Sequence, residues 1–348
     1  MKKLLSKVRA RKQPEVPVKR ITTDTLAEHR EQVLAGGRKF KYPVQYQRHK
    51  LVVNTIIIAV AALLVLLGVG GYLLYSAQNS SEFMYRVTKV IPVPVARVDG
   101  QLVRYSDYLM KYRSAVHYLV EKEQIDIRSD SGKSQLNYVK KQAMRDAIAD
   151  AYAAKLARSL DVTVTSADLE TYLKQQRQSS DVSEVTYNVV IRDYYGWSPE
   201  EYRDAMKHKL LRQKVAYATD AEAEARSKEV AAAVKAGTTD LQKIAETINR
   251  SHNDAVSFMA GAWVPKNNQD GGLAAAAAKL KPGQVSTEIK TNSGDGYYYV
   301  KLLESNDNQL NFESLHIPLT AFDQKLAQIE KNDGLSKFIT IEDLSKQQ

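Results

Sequence analysis

Residues 279–302 read KLKPGQVSTEIKTNSGDGYYYVKL. Pro282-Gly283 marks a turn, 284–290 alternates like a strand, and a second turn through Gly294 and Gly296 delivers three consecutive tyrosines onto a further strand. Alternation sends Tyr297 and Tyr299 to one face of that strand and Tyr298 to the other.

Upstream, KVAYAT near 213 reads as a strand and Thr219-Asp-Ala-Glu222 as the capped start of a helix that stops at Gly237. A further helix carries Leu241, Ile244, Ala245 and Ile248, and strand-like stretches follow near 256–264, 284–290 and 296–304. The order β-α-α-β-(helix)-β-β predicts a small α+β domain with an antiparallel sheet. Beyond it, NFESLHIPLTAF (311–322) predicts a strand, 321–331 a helix and FITI a last short strand.

The preceding region is helical. Tyr108, Leu109, Tyr112, Val116, Leu119 and Val120 form one stripe, and Leu136, Val139, Ala143, Ala147, Ile148, Ala151 and Leu156 form another. Both helices are amphipathic enough to require each other. Thr165/Asp168 and Ser198/Glu201 fit capping boxes, with Pro199 in the first helical position; Ser106 is the expected cap of the helix at 107–124. A hairpin turning at Asp99-Gly100 leads into that helix.

Residues 51–75, LVVNTIIIAVAALLVLLGVGGYLLY, contain no charge and reach about 37 Å as a helix, enough to span a bilayer. The net charge of +10 lies entirely before it, because residues 1–50 hold 14 Lys/Arg against 4 Asp/Glu and the remainder is balanced at 36 of each. The positive-inside tendency therefore places residues 1–50 in the cytoplasm as a basic, largely disordered tail near anionic lipid, with the C-terminal bulk extracytoplasmic. A neutral ectodomain is not expected to bind nucleic acid.

The 348 residues include no cysteine, which excludes disulfides and thiolate metal sites. The six histidines show no metal-ligand spacing, and no nucleophile elbow, phosphate loop or dinucleotide fingerprint occurs, so no cofactor is expected.

Several stretches together resemble a known family. VARVDGQLVRYSDYL, LDVTVTSADLETYLKQQ and YGWSPEEYRDAMKHKLLRQKV are similar to the N-terminal helical domain of bacterial extracytoplasmic chaperone-isomerases of the SurA, PrsA and PpiD type. EAEARSKEVAAAVKAGTTDLQKIAETI (222–248) and LKPGQVS (280–286) resemble the parvulin (PpiC-type) prolyl isomerase domain of the same proteins. The resemblance covers about 93–305. It implies an α+β protein with a single transmembrane helix, a SurA-N-like helical domain and a parvulin-like antiparallel sheet with flanking helices. The expected division is tail 1–50, span 51–75, stalk 76–92, helical chaperone domain 93–212, parvulin-like domain 213–305, and an extension 306–348 packing back on the ectodomain.

The departures from that family bear on chemistry. Its first-strand histidine position falls on Lys214 and its segment aspartate near Met259, leaving Trp263 as the retained aromatic; its groove Met and Phe fall near Gln269 and Leu273. The last-strand histidine becomes Tyr298. The resemblance thus implies a substrate groove at Lys214, Met259, Trp263, Leu273 and Tyr298 that lacks its proton-sharing residues. Whether the chain is still an enzyme is open, with Tyr298 and His316 the catalytic candidates. His316-Ile317 resembles the lost His-Ile strand but occurs after the domain. Two placements follow: a hairpin returning beside 296–304, or a structural position in an extension on the helical domain.

The expected function is a membrane-anchored folding factor holding unfolded or newly translocated polypeptides, with Tyr105, Tyr108, Tyr112, Tyr118, Tyr194, Tyr195 and Trp197 as candidate contacts or as core. The alternative is a non-catalytic envelope scaffold that docks one membrane or wall partner.

Overall fold

The computed structural model describes residues 22–180, 183–252, 255–291 and 293–341. Residues 1–72 and 73–348 form two compact units. The first contains α1 (Thr23–Gly71), which opens where Thr25 Oγ1 accepts from the Thr22 N–H at 2.9 Å. Residues 23–50 are therefore helical rather than disordered: good helix formers such as Leu26, Ala27, Glu28 and Gln32 start the helix and the apolar segment continues it. The disorder expected before them falls on residues outside those described. His49–Ser76 is the one described helical stretch long and apolar enough to cross a membrane, ending in a π-helical turn at Tyr72–Ser76.

The second unit begins with residues expected to be a stalk. Instead α2 (Glu82–Val90), capped by Ser81, buries Met84, Tyr85 and Thr88. β1 (Pro94–Val98) and β2 (Gln101–Arg104) form the hairpin, with positive φ at both Asp99 and Gly100 as a two-residue turn of this hand requires. α3 (Tyr105–Glu121) follows directly. Its cap is Arg104, and Ser106 is buried inside the first turn, because the hairpin hands the chain straight into the helix.

α3 packs on α4 (Asp130–Ser159) through Tyr105, Tyr108, Leu109 and Tyr112 against Met144, Ala147, Ile148 and Tyr152, all buried. α5 (Ser166–Ser180), α6 (Glu184–Tyr195) and α7 (Pro199–Thr219) enclose a smaller core of Leu169, Tyr172, Leu173, Ile191 and Tyr202. Both capping boxes form: Thr165 with Asp168, and Ser198 with Glu201. Asp150 of α4, nearly buried, lies 2.7 Å from Lys111 of α3 and 3.4 Å from Arg212 of α7, so one carboxylate ties three helices together.

KVAYAT does not form a strand; α7 runs unbroken to Thr219, with Val215 buried in the helical core. α8 (Ala221–Lys235) and α9 (Leu241–His252) follow, then β3 (Ser257–Pro265), the short α10 (Leu273–Ala277), β4 (Ile289–Lys290), β5 (Gly296–Ser305) and β6 (Gln309–Pro318). The sheet is antiparallel in the order β3-β6-β5-β4. Its inner place, beside β3, is held by β6, the last of these four strands in the chain, which leaves no slot for a strand at 214–219. Tyr297, Tyr299, Leu315 and Ile317 face α8 and α9; Tyr298, Val300, Leu302 and Leu310 face α10. At the start of β5, a Cβ on Gly296 would lie 2.1 Å from the Ile317 carbonyl oxygen, so only glycine lets the two strands approach there.

The extension therefore divides. Residues 309–318 complete the sheet, while α11 (Ala321–Lys331) and β7 (Leu335–Lys337) return to the helical half, where Phe322 packs on Tyr152 and β7 joins β1 in a sheet ordered β2-β1-β7. Within FITI, Phe338 continues that contact only through its N–H to Val95 O, and Ile339 is buried. Thr219-Glu222 is not the cap of α8. Asp220 is: it accepts from Ala223 N–H with one oxygen and from Thr320 and Ala321 N–H with the other.

Replacing Asp220 with Ala leaves three N–H groups, one buried and two partly buried, without their acceptor and is expected to lower stability by about 2 kcal/mol. Urea unfolding followed by tryptophan fluorescence measures it; a loss below about 0.5 kcal/mol contradicts the assigned role.

Candidate functional site

Two regions bear on function, one on the four-stranded sheet and one in the helical half. On the sheet, Tyr298 and His316 are direct cross-strand partners, and their rings stack at 4.2 Å with an interplanar angle of 14°. Of the two placements for His316, the hairpin is the one adopted. Tyr298 is 8 % exposed and its hydroxyl donates to Asp295 Oδ2 at 2.7 Å. Thr291 and Ser293 hydroxyls donate to the other oxygen at 2.6 Å each, and His316 Nε2 lies 3.3 Å from the Asp295 carbonyl.

Partial burial opposes the charge on Asp295, but hydrogen bonds from Ser293, Thr291 and Tyr298 outweigh it and hold the carboxyl below its ordinary pKa. The Tyr298 phenol is pushed up, first by burial and then by its bond to that carboxylate. Its one proton is thus committed to Asp295 rather than offered to a ligand.

The other groove candidates are not gathered there. Met259 pairs with Ser314 and so shares the face of His316 and Tyr298. Because β3 bulges between Met259 and Ala262, Trp263 pairs with Asn311 and turns to the opposite face. Leu273 is buried in α10 beneath Tyr298, while Gln269 lies in the exposed loop before it. Lys214 sits on α7, where it donates to Thr163 O and to Asp168 at 2.7 Å; that bond, with further ones from Thr165, holds the Asp168 carboxyl down to about 2. Sequence position aligned these residues, whereas the bulge and the helix separate them.

The helical half sorts the candidate aromatics differently. Tyr105, Tyr108 and Tyr112 are core, and the Tyr105 hydroxyl donates to Leu74 O at 2.6 Å. Tyr118, Tyr194 and Tyr195 are 39–47 % exposed, and their hydroxyls make no hydrogen bond among the described residues. With Trp197 and Tyr138 they line a cavity of ≈ 730 Å³ between α3, α4 and the α6–α7 turn.

The rings are held rigidly. Tyr195 stacks on Trp197 at 4.9 Å and Tyr118 on Tyr194 at 6.2 Å, and Trp197 Nε1 donates to Met110 O at 3.2 Å. The turn carrying them is fixed to α3 by Lys122 donating to Asp193 at 2.5 Å and by His117 Nε2 at 3.0 Å from the Asp193 carbonyl. Gly196 closes α6 in the left-handed conformation, with the His117 ring 3.0 Å from where its Cβ would be. Stacked, half-exposed rings beside an open apolar cavity can take up apolar side chains of varied shape.

The sequence profile of the SurA-like N-terminal domain family matches residues 44–216. The chain carries a SurA-like domain. The match includes the apolar helix and every helix that lines the aromatic cavity. Among solved structures, a Campylobacter jejuni protein, from a report describing the virulence factor PEB4 and the periplasmic protein Cj1289 as structurally related SurA-like chaperones, aligns at 12 % identity over 69 % of this chain and 92 % of its own, with a TM-score of 0.25. The sequence match, not that overlay, carries the assignment. No curated protein matches the chain.

Tyr138, on the SurA-like domain's α4, was not among the residues singled out from sequence; its position off the Leu136/Val139/Ala143 stripe is the signal that marks it as exposed. Asp295 was likewise passed over as part of a turn.

Tyr298→Phe removes one of the three side-chain donors to Asp295 and is expected to lower stability by about 1 kcal/mol at neutral pH. Since the folded Asp295 pKa is depressed, its contribution is present above about pH 4 and disappears as pH falls through the folded value. The variant should therefore lose less stability on acidification than the wild type. Parallel pH profiles of the two would contradict this network.

Proposed function

We propose that this protein is a membrane-anchored, extracytoplasmic folding factor that holds unfolded or newly translocated polypeptides. The observation that supports this reading is the aromatic cavity of the SurA-like domain, whose tyrosines keep exposed faces and unbonded hydroxyls while the other tyrosines of the same helix are core. Rigid rings give contact area at little entropic cost, which suits promiscuous, reversible binding. The apolar helix at His49–Ser76 is compatible with a single-pass anchor, and the basic flank favours a cytoplasmic N-terminus.

The sheet half is read as a parvulin-like domain whose His-Ile strand stands at the end of the domain instead of its start, with a degenerate isomerase site. Supporting this are the position of His316 beside Tyr298 and the order β3-β6-β5-β4. Rotation about a prolyl bond needs polar groups aimed at the twisted amide. Here the Tyr298 proton is engaged by Asp295 and the His316 ring is covered on one side by Tyr298.

The full-length protein in lipid nanodiscs should suppress aggregation of several unrelated, chemically unfolded proteins. Tyr118→Ser with Tyr195→Ser should weaken that suppression about tenfold. Activity toward a single native partner alone would favour a scaffold. In a protease-coupled proline-peptide assay, wild type and Tyr298→Phe should both leave the background rate unchanged; acceleration by wild type that the variant loses would restore a catalytic role.

A further inference from the structure

β3 is the outer strand of the four-stranded sheet, paired on one side with β6 and, among the described residues, with no strand on the other. Its residues, SFMAGAWVP, carry no charge, and the uncharged run extends back to Ala255. Edge strands are usually guarded by charged side chains, prolines, bulges or a covering element. Here the guards are the bulge between Met259 and Ala262 and the terminal Pro265.

Among the described residues, the backbone groups of Ser257–Val264 bond only to β6, so the alternate N–H and C=O groups along the outer side are open. Val256, by contrast, is closed off by Asn249, which bonds both its N–H and its carbonyl. The bulge places an exposed apolar side chain on each face of this edge: Met259, 53 % exposed, on one and Trp263, 44 % exposed, on the other. A strand laid alongside would find backbone partners in its plane and an apolar contact above and below.

We propose that the β3 edge takes up an extended, uncharged segment of an unfolded polypeptide as a fifth strand of the sheet. This rests on the reading of the protein as a folding factor and gives it a second holding site, distinct from the aromatic cavity. Two considerations select this occupant over a second copy of the chain. Eight residues of open edge offer only two exposed large apolar side chains, Met259 and Trp263, a narrow basis for the roughly 1,000 Å² contact of a stable protein–protein pair. Backbone pairing also reads little sequence, so it accepts varied clients and releases them readily.

The test uses the full-length protein in nanodiscs and a fluorescein-labelled decapeptide of alternating valine and threonine. Binding is followed by anisotropy, and amide exchange by mass spectrometry. With saturating peptide, exchange over 257–264 should slow about tenfold, and Met259→Lys with Trp263→Lys should weaken binding about tenfold. Unchanged exchange in α3 of that variant verifies that its fold is intact.

Binding with no change in β3 exchange would put the peptide elsewhere and overturn the edge site, while aggregation suppression by the wild type would still uphold the folding-factor reading. Protection of β3 that rises with protein concentration in the absence of peptide would make the occupant a second copy and overturn the proposal equally. Failure of the wild type to bind the peptide would overturn it as well.

Discussion

One buried carboxylate, Asp220, controls how the helical half and the sheet half are joined. The chain enters the sheet half at Asp220 and leaves it at Leu319–Thr320, and Asp220 accepts backbone N–H groups at both crossings. The N-termini of α8 and α11 each present unsatisfied donors and a partial positive charge, so a single anion between them serves both. Asparagine in that place would offer one acceptor oxygen and turn an NH2 group against a backbone N–H. With both crossings fixed, everything between them closes into one module. Everything after it, α11 and β7, is delivered back to the helical half to cover Tyr152 and extend the β1–β2 hairpin.

The same logic explains the abundance of tyrosine. In the cores, tyrosines act as bolts: their rings fill volume while their hydroxyls reach carbonyls on other elements. Tyr105 bonds Leu74, Tyr217 bonds Gly296 and Tyr299 bonds Ser227, each between 2.6 and 2.8 Å. Phenylalanine would fill the same space but lose those bonds between elements. Around the cavity the relation reverses, since Tyr118 stacks on Tyr194 and Tyr195 on Trp197, and their hydroxyls make no hydrogen bond among the described residues. One residue type thus serves rigidity in one place and adaptable contact in another, decided by what its hydroxyl meets.

Much of this was legible in the sequence wherever the controlling interaction is local. The capping boxes, the Asp99-Gly100 turn and the opposite facing of Tyr298 and its neighbours follow from spacing alone. Spacing puts Tyr108 and Tyr112 on the α3 stripe but leaves Tyr105 and Tyr118 open between core and contact, and packing decides them: Tyr105 is core and Tyr118 is exposed. What spacing cannot supply is long-range pairing. KVAYAT has the composition of a strand, yet the slot it would fill belongs to a strand about a hundred residues later, so it continues α7 instead. The bulge in β3 is equally invisible. It moves Trp263 to the face opposite Met259, and a groove inferred by alignment comes apart for that reason. Residues 82–90 form a helix where a stalk is expected: the polar run SAQNSS before them has the composition of a linker, and Met84, Tyr85 and Thr88 are buried only once the helix packs.

The relation between holding and catalysis follows from how Asp295 is surrounded. A prolyl bond must be turned over a barrier of about 18–20 kcal/mol, which demands donors that are free in the ground state and engaged only as the amide twists. Tyr298, Thr291 and Ser293 are already engaged, all three with one carboxylate whose charge they stabilise. Freeing any of them to meet a substrate would strand part of that charge, so the cluster resists recruitment for chemistry. Its effect is to lock the turn at 291–296 and the start of β5, and with them the register of β6. The register of β6 in turn positions β3 as an open edge. Stability at the Tyr298 face and availability at the β3 edge are therefore two results of the same strand pairing, and a sheet whose Tyr298 proton is committed to Asp295 still has backbone to offer along its rim.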